Sequence, residues 1–289
     1  MVKRMVDWPL TFKCNNNCLS CIYNMELADK LKVGQPKEES IKKVIDGVRP
    51  GDTLGLTGGE PTIRDIFFRI LKYARKKDPE MNVFIVSNGR MFSYMEFAEK
   101  TAGIGLVNLR IGIALYGHDK ATHEAVTRIP GSFGQTIRGV ENLLGLGVPV
   151  ELRIIVSRLN YRKLEDIAAY VANNLKGVYR VVFINMKYTG NAYKNRKMLF
   201  VKYKNLAPYA QKAADILAKN KVEVKLFHFP LCIIQRKYWD LAKGVTKQES
   251  ELMFAKACGG CDVKDECPRI WKSYWVLAGE REFRAITLR

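Results

Sequence analysis

The sequence predicts an α/β fold: a partial (β/α)6 TIM-like barrel followed by a small Cys-rich C-terminal extension. Three observations predict it. Apolar, β-rich runs alternate with amphipathic stretches from Asp7 to about Tyr188, the pattern of repeated βα units on a parallel sheet. The alternation stops after Lys219. The seven cysteines fall into two groups, Cys14, Cys18 and Cys21 near the start and Cys232, Cys258, Cys261 and Cys267 in the last quarter.

Strands are expected at Asp7 to Phe12, Thr53 to Leu56, Asn82 to Val86, Val107 to Leu115, Val148 to Val156 and Tyr179 to Met186. Helices are expected between or after them at Glu38 to Val48, Ile63 to Lys76, Tyr94 to Thr101, Phe133 to Leu146, Leu164 to Asn174 and Asn205 to Lys219. Six strands fall short of a closed eight-stranded barrel, and in such sheets ligands sit at the carboxyl ends of the strands. Residues 1–220 therefore form the expected barrel domain. Residues 221–289 form an irregular extension too small to hold a core by apolar burial alone, so a metal staple is expected there.

With 289 residues, 47% hydrophobic and 27% charged, the chain has material for a sizeable core, which excludes intrinsic disorder. No apolar run approaches the roughly 20 residues of a membrane span, and MVKRMVDWPLTFKC lacks a signal-peptide stretch, so a cytoplasmic protein without membrane contact is expected. Forty-eight Lys and Arg against 29 acidic residues give +19, which points to an anionic partner such as an acidic peptide or RNA, or serves solubility alone.

An odd cysteine count does not suit a secreted disulfide framework. Three plus four suits two metal centres, one incompletely ligated by protein. In CNNNCLSC, Asn15, Asn16 and Asn17 tolerate tight backbone, which lets a short loop turn three thiolates onto one object. A structural zinc needs a fourth ligand, and no Cys or His lies nearby in sequence. A four-iron cluster on three thiolates keeps one iron open. At the end of the second strand, Gly58 and Gly59 allow close backbone approach and Glu60 offers an acceptor for a ligand ammonium.

Cys-x3-Cys-x2-Cys after a first strand, then Gly58-Gly59-Glu60-Pro61 after the second, resembles the radical S-adenosylmethionine enzymes. The resemblance implies a [4Fe-4S] cluster on Cys14, Cys18 and Cys21, with S-adenosylmethionine chelated at the open iron and cleaved reductively to a 5′-deoxyadenosyl radical. It implies that Gly58, Gly59 and Glu60 meet the methionyl amino group and that Ser87 and Asn88 approach the ribose, although Ser87-Asn88-Gly89 alone is an ordinary turn. Many relatives carry an aromatic residue before the third cysteine; here Ser20 stands there, and Tyr23 is the candidate substitute near the adenine.

Asn108 and Arg110 share one face of the fourth strand, and Glu151, Arg153 and Ser157 one face of the fifth, so these are expected to point into the barrel. Arg153, or Arg128 in a loop, is a candidate partner for the cofactor carboxylate; a buried structural ion pair between Glu151 and the neighbours of Arg153 is the alternative. Cys258-x2-Cys261-x5-Cys267 with Cys232 suits either zinc or iron by spacing. It resembles the SPASM and twitch extensions of the same enzymes, with Trp271 where the last SPASM cysteine would fall. A fully ligated auxiliary [4Fe-4S] cluster is the implied state.

Lys187 to Lys204 has six basic residues, no acid and four aromatics, Tyr188, Tyr193, Phe200 and Tyr203: either an electrostatic funnel for substrate or a loop whose aromatics cover the barrel end. His118 and His123 are expected in a loop after the fourth strand, in substrate-contact or structural roles. His228 is not needed as a ligand. Longer stretches, from YGHDKATHEAV to the terminal CGGCDVKDEC, are similar to maturases of the His-Xaa-Ser peptide system. The function these features imply is radical hydrogen abstraction from a peptide, served by a low-potential donor such as a flavodoxin or ferredoxin. Modification of RNA or a small cofactor precursor is the second reading, and a zinc-stapled nucleic-acid-binding protein the third.

Overall fold

The computed structural model describes residues 4–23, 33–243 and 249–288. Seven strands, β1 (Met5–Thr11), β2 (Thr53–Gly58), β3 (Asn82–Ser87), β4 (Leu109–Ala114), β5 (Val150–Val156), β6 (Arg180–Asn185) and β7 (Glu223–Phe227), pair in parallel in chain order. β1 and β7 are the two edges, so the sheet is open, as the partial barrel requires.

All six expected strands form, and helices occupy all six expected stretches: α1 (Glu38–Asp46), α2 (Phe67–Lys77), α3 (Met95–Ala102), α5 (Ser132–Gly145), α6 (Leu164–Asn174) and α9 (Tyr203–Lys219). Their apolar stripes dictate the packing. In α2, Phe67, Ile70, Leu71 and Ala74 are buried while Arg75, Lys76 and Lys77 close the last turn, where the helix dipole favours cations. One face of each strand, including Leu54, Leu56, Ile111, Ile113, Leu152, Ile154, Val181 and Phe183, lies in the same core.

Several elements add to the expected count, and two of them bear on the sheet and the site. β7 pairs with β6 and carries the sheet past residue 220 to Phe227. Its charges at Glu223 and Lys225 alternate with buried Val224 and Leu226, so an edge strand with one buried face reads as a polar stretch in sequence. The other is α4 (Lys120–Thr127), capped by Asp119, whose Oδ1 accepts the Thr122 N–H at 2.6 Å. Of its buried residues His123, Val126 and Thr127, two are polar, so no apolar stripe marks the helix in sequence.

Asn108 and Ser157 do not sit on the strand faces expected of them. β4 begins at Leu109, and the Asn108 amide donates to the Glu80 carbonyl at 2.6 Å on the surface. Ser157 lies beyond β5 in a buried turn, its N–H donating to Asn160 Oδ1 at 2.8 Å. In both cases a turn captures the polar side chain before the pleat can orient it.

The C-terminal segment is not a separate body. Its helix α11 (Lys272–Ala278) supplies Tyr274, whose ring lies 4.5 Å from that of Tyr203 and 5.5 Å from that of Phe200. The Tyr203 N–H donates to the Tyr274 hydroxyl at 3.0 Å, and Tyr274 in turn bonds Glu282. Replacing this fully buried ring in Tyr274→Ala is expected to cost about 3–5 kcal/mol in urea unfolding and to expose residues 249–288 to protease before the sheet.

Candidate active site and second thiol group

The loop from Lys13 to Tyr23 has no strand or helix of its own, and four neighbouring elements satisfy its backbone. From the end of β2, the Gly59 N–H donates to the Thr11 carbonyl at 2.7 Å and the Glu60 N–H to the Lys13 carbonyl at 2.8 Å. Gly58 has φ +119°, and a Cβ there would stand 2.3 Å from the Thr11 oxygen. From below, the last carbonyls of α4 accept from the loop: Asn17 N–H to Thr127 at 3.2 Å and Leu19 N–H to Val126 at 2.9 Å.

The segment after β6 grips the other end. It continues into two short helices, α7 (Gly190–Lys194) and α8 (Arg196–Leu199). The Ala192 N–H donates to the Cys21 carbonyl at 2.9 Å, Asn191 N–H to Tyr23 at 3.1 Å, Thr189 Oγ1 to Ile22 at 3.1 Å and Asn195 Nδ2 to Leu19 at 3.2 Å. At Gly190, φ +55°, a Cβ would lie 2.4 Å from the Ile22 carbonyl oxygen. Arg90 completes the frame by donating to the Asn15 carbonyl, to Asn16 Oδ1 at 2.8 Å and to Gln135 Oε1 at 2.6 Å.

The three thiols so held act on one another. Burial pushes Cys14 up to about 11 and Cys18 to about 12, with Cys21 raised for the same reason, and Cys14 and Cys21 each add to the upward shift of Cys18. Donors aimed at sulfur oppose this: the Asn16 N–H lies 3.4 Å from Cys14 Sγ, and Tyr116 hydrogen-bonds Cys18. Buried neighbouring thiols with donors at sulfur suit a bound cation that takes over their charge. Three buried thiols on one loop fit an iron-sulfur cube, whose donors bind different irons and leave one iron open.

Glu60 is buried, and both its oxygens are engaged. Oε1 accepts from Thr62 N–H at 3.2 Å, Thr62 Oγ1 at 2.6 Å and Ser87 Oγ at 2.8 Å; Oε2 accepts from the Asn88 N–H at 2.6 Å. Burial raises its carboxyl above the usual range despite these donors. Glu60 thus ties the ends of β2 and β3 together, and Asn88 passes the link on, its Nδ2 donating to Asn15 Oδ1 at 2.6 Å and lying 4.0 Å from Cys14 Sγ. Ser87 thus ends β3, and Asn88 follows it beside the thiol loop.

The arginines divide. Arg153 pairs with Glu151, which also takes Arg180 at 3.4 Å, and its guanidinium lies over Phe84 at 5.7 Å. Arg128 is exposed at the left-handed C-terminus of α4, immediately after the carbonyl that holds Asn17. Tyr23 is partly exposed at the end of the loop, its phenol raised by burial and by Cys21. His123 is buried, its Nδ1 accepting from the Tyr116 N–H at 3.4 Å, and burial lowers it to about 4. That is a structural role.

Cys232, Cys258, Cys261 and Cys267 all line one small cavity, closed by Phe254, Phe283 and Ile286 and bordered by Lys264, Arg269 and Arg284. Backbone donors reach its sulfurs, the Ile286 N–H at 3.4 Å from Cys261 Sγ among them. Four thiols on one cavity, with three cations at its border, fit a fully ligated anionic cluster. Trp271 is buried nearby, donating to the Asn185 carbonyl at 3.0 Å and stacked on His228 at 3.9 Å. In the basic stretch, Tyr188 and Tyr203 are buried and Phe200 packs against Tyr188 and Tyr274, so three of its four aromatics are core.

Arg90, Tyr116, Thr189 and Asn195 were not singled out from sequence. Tyr116 had a signal: it continues the alternate row Arg110, Gly112, Ala114 beyond β4. The others reach the loop from turns and leave none.

A family model described as the Radical SAM superfamily matches residues 8–171. The AdoMet-dependent heme synthase of Methanosarcina barkeri is 30% identical over 186 residues, covering 63% of this chain and 50% of that protein. Mycofactocin maturase MftC of Mycolicibacterium smegmatis is 29% identical over 170 residues, covering 58% and 41%. The chain spans about half the length of the curated relatives it matches. Among solved structures, Streptococcus suis SuiB bound to S-adenosylmethionine superposes with a TM-score of 0.64 at 11% identity, over 98% of this chain and 76% of that one. SuiB bound to its precursor peptide SuiA gives 0.62 at 12%, over 77% and 48%. At these identities the likeness is one of fold.

Gly58→Ala is expected to destabilise the chain by about 1–3 kcal/mol and to lower the iron retained after anaerobic reconstitution, measured by metal analysis. His123 is neutral when folded and titrates near 6.5 when unfolded, so its contribution is full above that pH and is lost as pH falls toward about 4. Urea midpoints are expected to drop between pH 7 and pH 5, by about 3 kcal/mol at most from this group, and His123→Phe to flatten the drop.

Proposed function

The chain belongs to the Radical SAM superfamily, and from that premise we propose that it is an enzyme that cleaves S-adenosylmethionine reductively and takes a hydrogen atom from a peptide. The outcome is an oxidative maturation such as a crosslink. The observation that carries the reading is the loop of three mutually coupled thiols whose backbone is held from β2, α4, Arg90 and the segment after β6. A [4Fe-4S] cluster on Cys14, Cys18 and Cys21 would supply the electron and the open coordination site for the cofactor.

The chain's own part is positioning. Glu60, with Ser87 and Asn88, fixes the ends of β2 and β3 against the loop, so the cofactor meets backbone at Gly58 and Gly59 that is already ordered. Tyr23, Arg128 and Arg153 are the proposed further cofactor contacts, for the adenine and the carboxylate. The second thiol group, on Cys232, Cys258, Cys261 and Cys267 in the extension past β7, is read as an auxiliary cluster that takes an electron from the product radical. A peptide substrate is supported by the names of two similar proteins, a mycofactocin maturase and SuiB with its precursor peptide. A small cofactor precursor is the second reading, favoured by the heme synthase among the relatives. RNA rests on the charge alone. A flavodoxin or ferredoxin is the proposed electron source.

Reconstituted chain with dithionite and S-adenosylmethionine is expected to yield 5′-deoxyadenosine and methionine, and Cys14→Ala to yield neither. In Cys258→Ala/Cys261→Ala, iron is expected to fall from about eight to about four per chain while cofactor cleavage continues. Absence of 5′-deoxyadenosine from the iron-loaded wild type would reject the reading.

A further inference from the structure

On the carboxyl-end side of the sheet, the side that carries Cys14, Cys18 and Cys21, a cleft of about 500 Å³ opens between the turn after β5 and the start of α9. Arg158, Tyr161, Arg162, Phe200, Lys202 and Asn205 line it, and no carboxylate does. Arg158, Arg162 and Lys202 are exposed, and among the described residues none of the three is in an ion pair. Nearby Lys163 and Lys212 are paired, with Asp166 at 3.5 Å and Glu165 at 3.7 Å.

The cleft is built rather than merely charged. Arg158 braces its far wall, donating from Nε to the Phe200 carbonyl at 3.0 Å and from Nη1 to the Lys197 carbonyl at 3.3 Å. Arg162 is set by the Tyr161 hydroxyl, which accepts from its Nε at 2.8 Å. The wall formed by Phe200 to Asn205 continues the segment that grips Cys21, with only the four-residue α8 and Phe200 to Lys202 between that segment and α9.

Its aromatics decide between anionic polymers. Tyr161 meets Tyr209 edge-on at 5.3 Å and has the Arg162 guanidinium over its ring at 5.5 Å. Phe200 is packed between Tyr188 at 5.6 Å and Tyr274 at 5.5 Å. Both rings are engaged by these neighbours, whereas stacking of nucleic-acid bases needs free aromatic faces. Two guanidinium groups and an ammonium, by contrast, suit carboxylates spaced along an extended chain.

We propose that this cleft docks an acidic stretch of the peptide substrate, its carboxylates pairing with Arg158, Arg162 and Lys202, beside the loop where the chemistry occurs. The proposal rests on the peptide reading above. The test is fluorescence polarisation of the reconstituted full chain with a labelled oligoglutamate of about ten residues. Wild type is expected to bind it, and R162E/K202E to weaken binding about tenfold or more, whereas K77E, at the opposite end of the sheet, changes it less than about twofold.

Cofactor cleavage without peptide is read in parallel, and R162E/K202E is expected to leave it unchanged. If wild type forms no 5′-deoxyadenosine, the proposed function fails while the binding data still judge the cleft. If cleavage proceeds and R162E/K202E binds oligoglutamate as wild type does, the cleft assignment is overturned. It is equally overturned if oligouridylate binds these residues and oligoglutamate does not.

Discussion

Backbone satisfaction of a loop with no ladder of its own is the constraint on which the rest of the structure depends. A buried segment must pair its N–H and C=O groups somewhere, and between Thr11 and Tyr23 the partners come from β2, α4, Arg90 and the segment after β6. No single element fixes three sulfurs on one target. The thiols are costly to bury as thiolates unless a cation shares their charge.

The same frame links the two thiol groups. Phe283 borders the four-cysteine cavity and packs on Tyr203 and Tyr274 at 6.0 and 6.3 Å; Tyr274 meets Phe200, which meets Tyr188. Tyr188 precedes Thr189 of the grip on Cys21, and its N–H donates to Ser273 Oγ at 3.0 Å, while Lys187 pairs with Glu251. The C-terminal segment is therefore part of the core that fixes the first loop. Four interleaved aromatics that read as either a funnel or a cover are mostly cover, because a terminal segment with little regular structure needs large rings to attach it.

How much was legible follows from what each feature depends on. Cysteine spacing is local, so both thiol groups could be read from sequence, and the four distant cysteines do share one cavity. The helix α4 left no apolar stripe to read, because two of its three buried residues, His123 and Thr127, are polar. Glu60 stood out as an acceptor, but its four donors come from Thr62, Ser87 and Asn88, the last two a strand away, which no spacing reveals. Arg153 carried two open readings, and only the register that sets Glu151 beside Arg180 shows that one carboxylate serves two arginines.

The missed seventh strand has a consequence of its own. Among the described residues β7 ends the sheet with no further strand beside it, and an unpaired edge invites another chain to add on. Glu223, exposed, and Lys225, half-buried, interrupt that edge with opposite charges. The feature that hides the strand from a hydropathy reading is the same one that discourages two molecules from joining sheets at this edge.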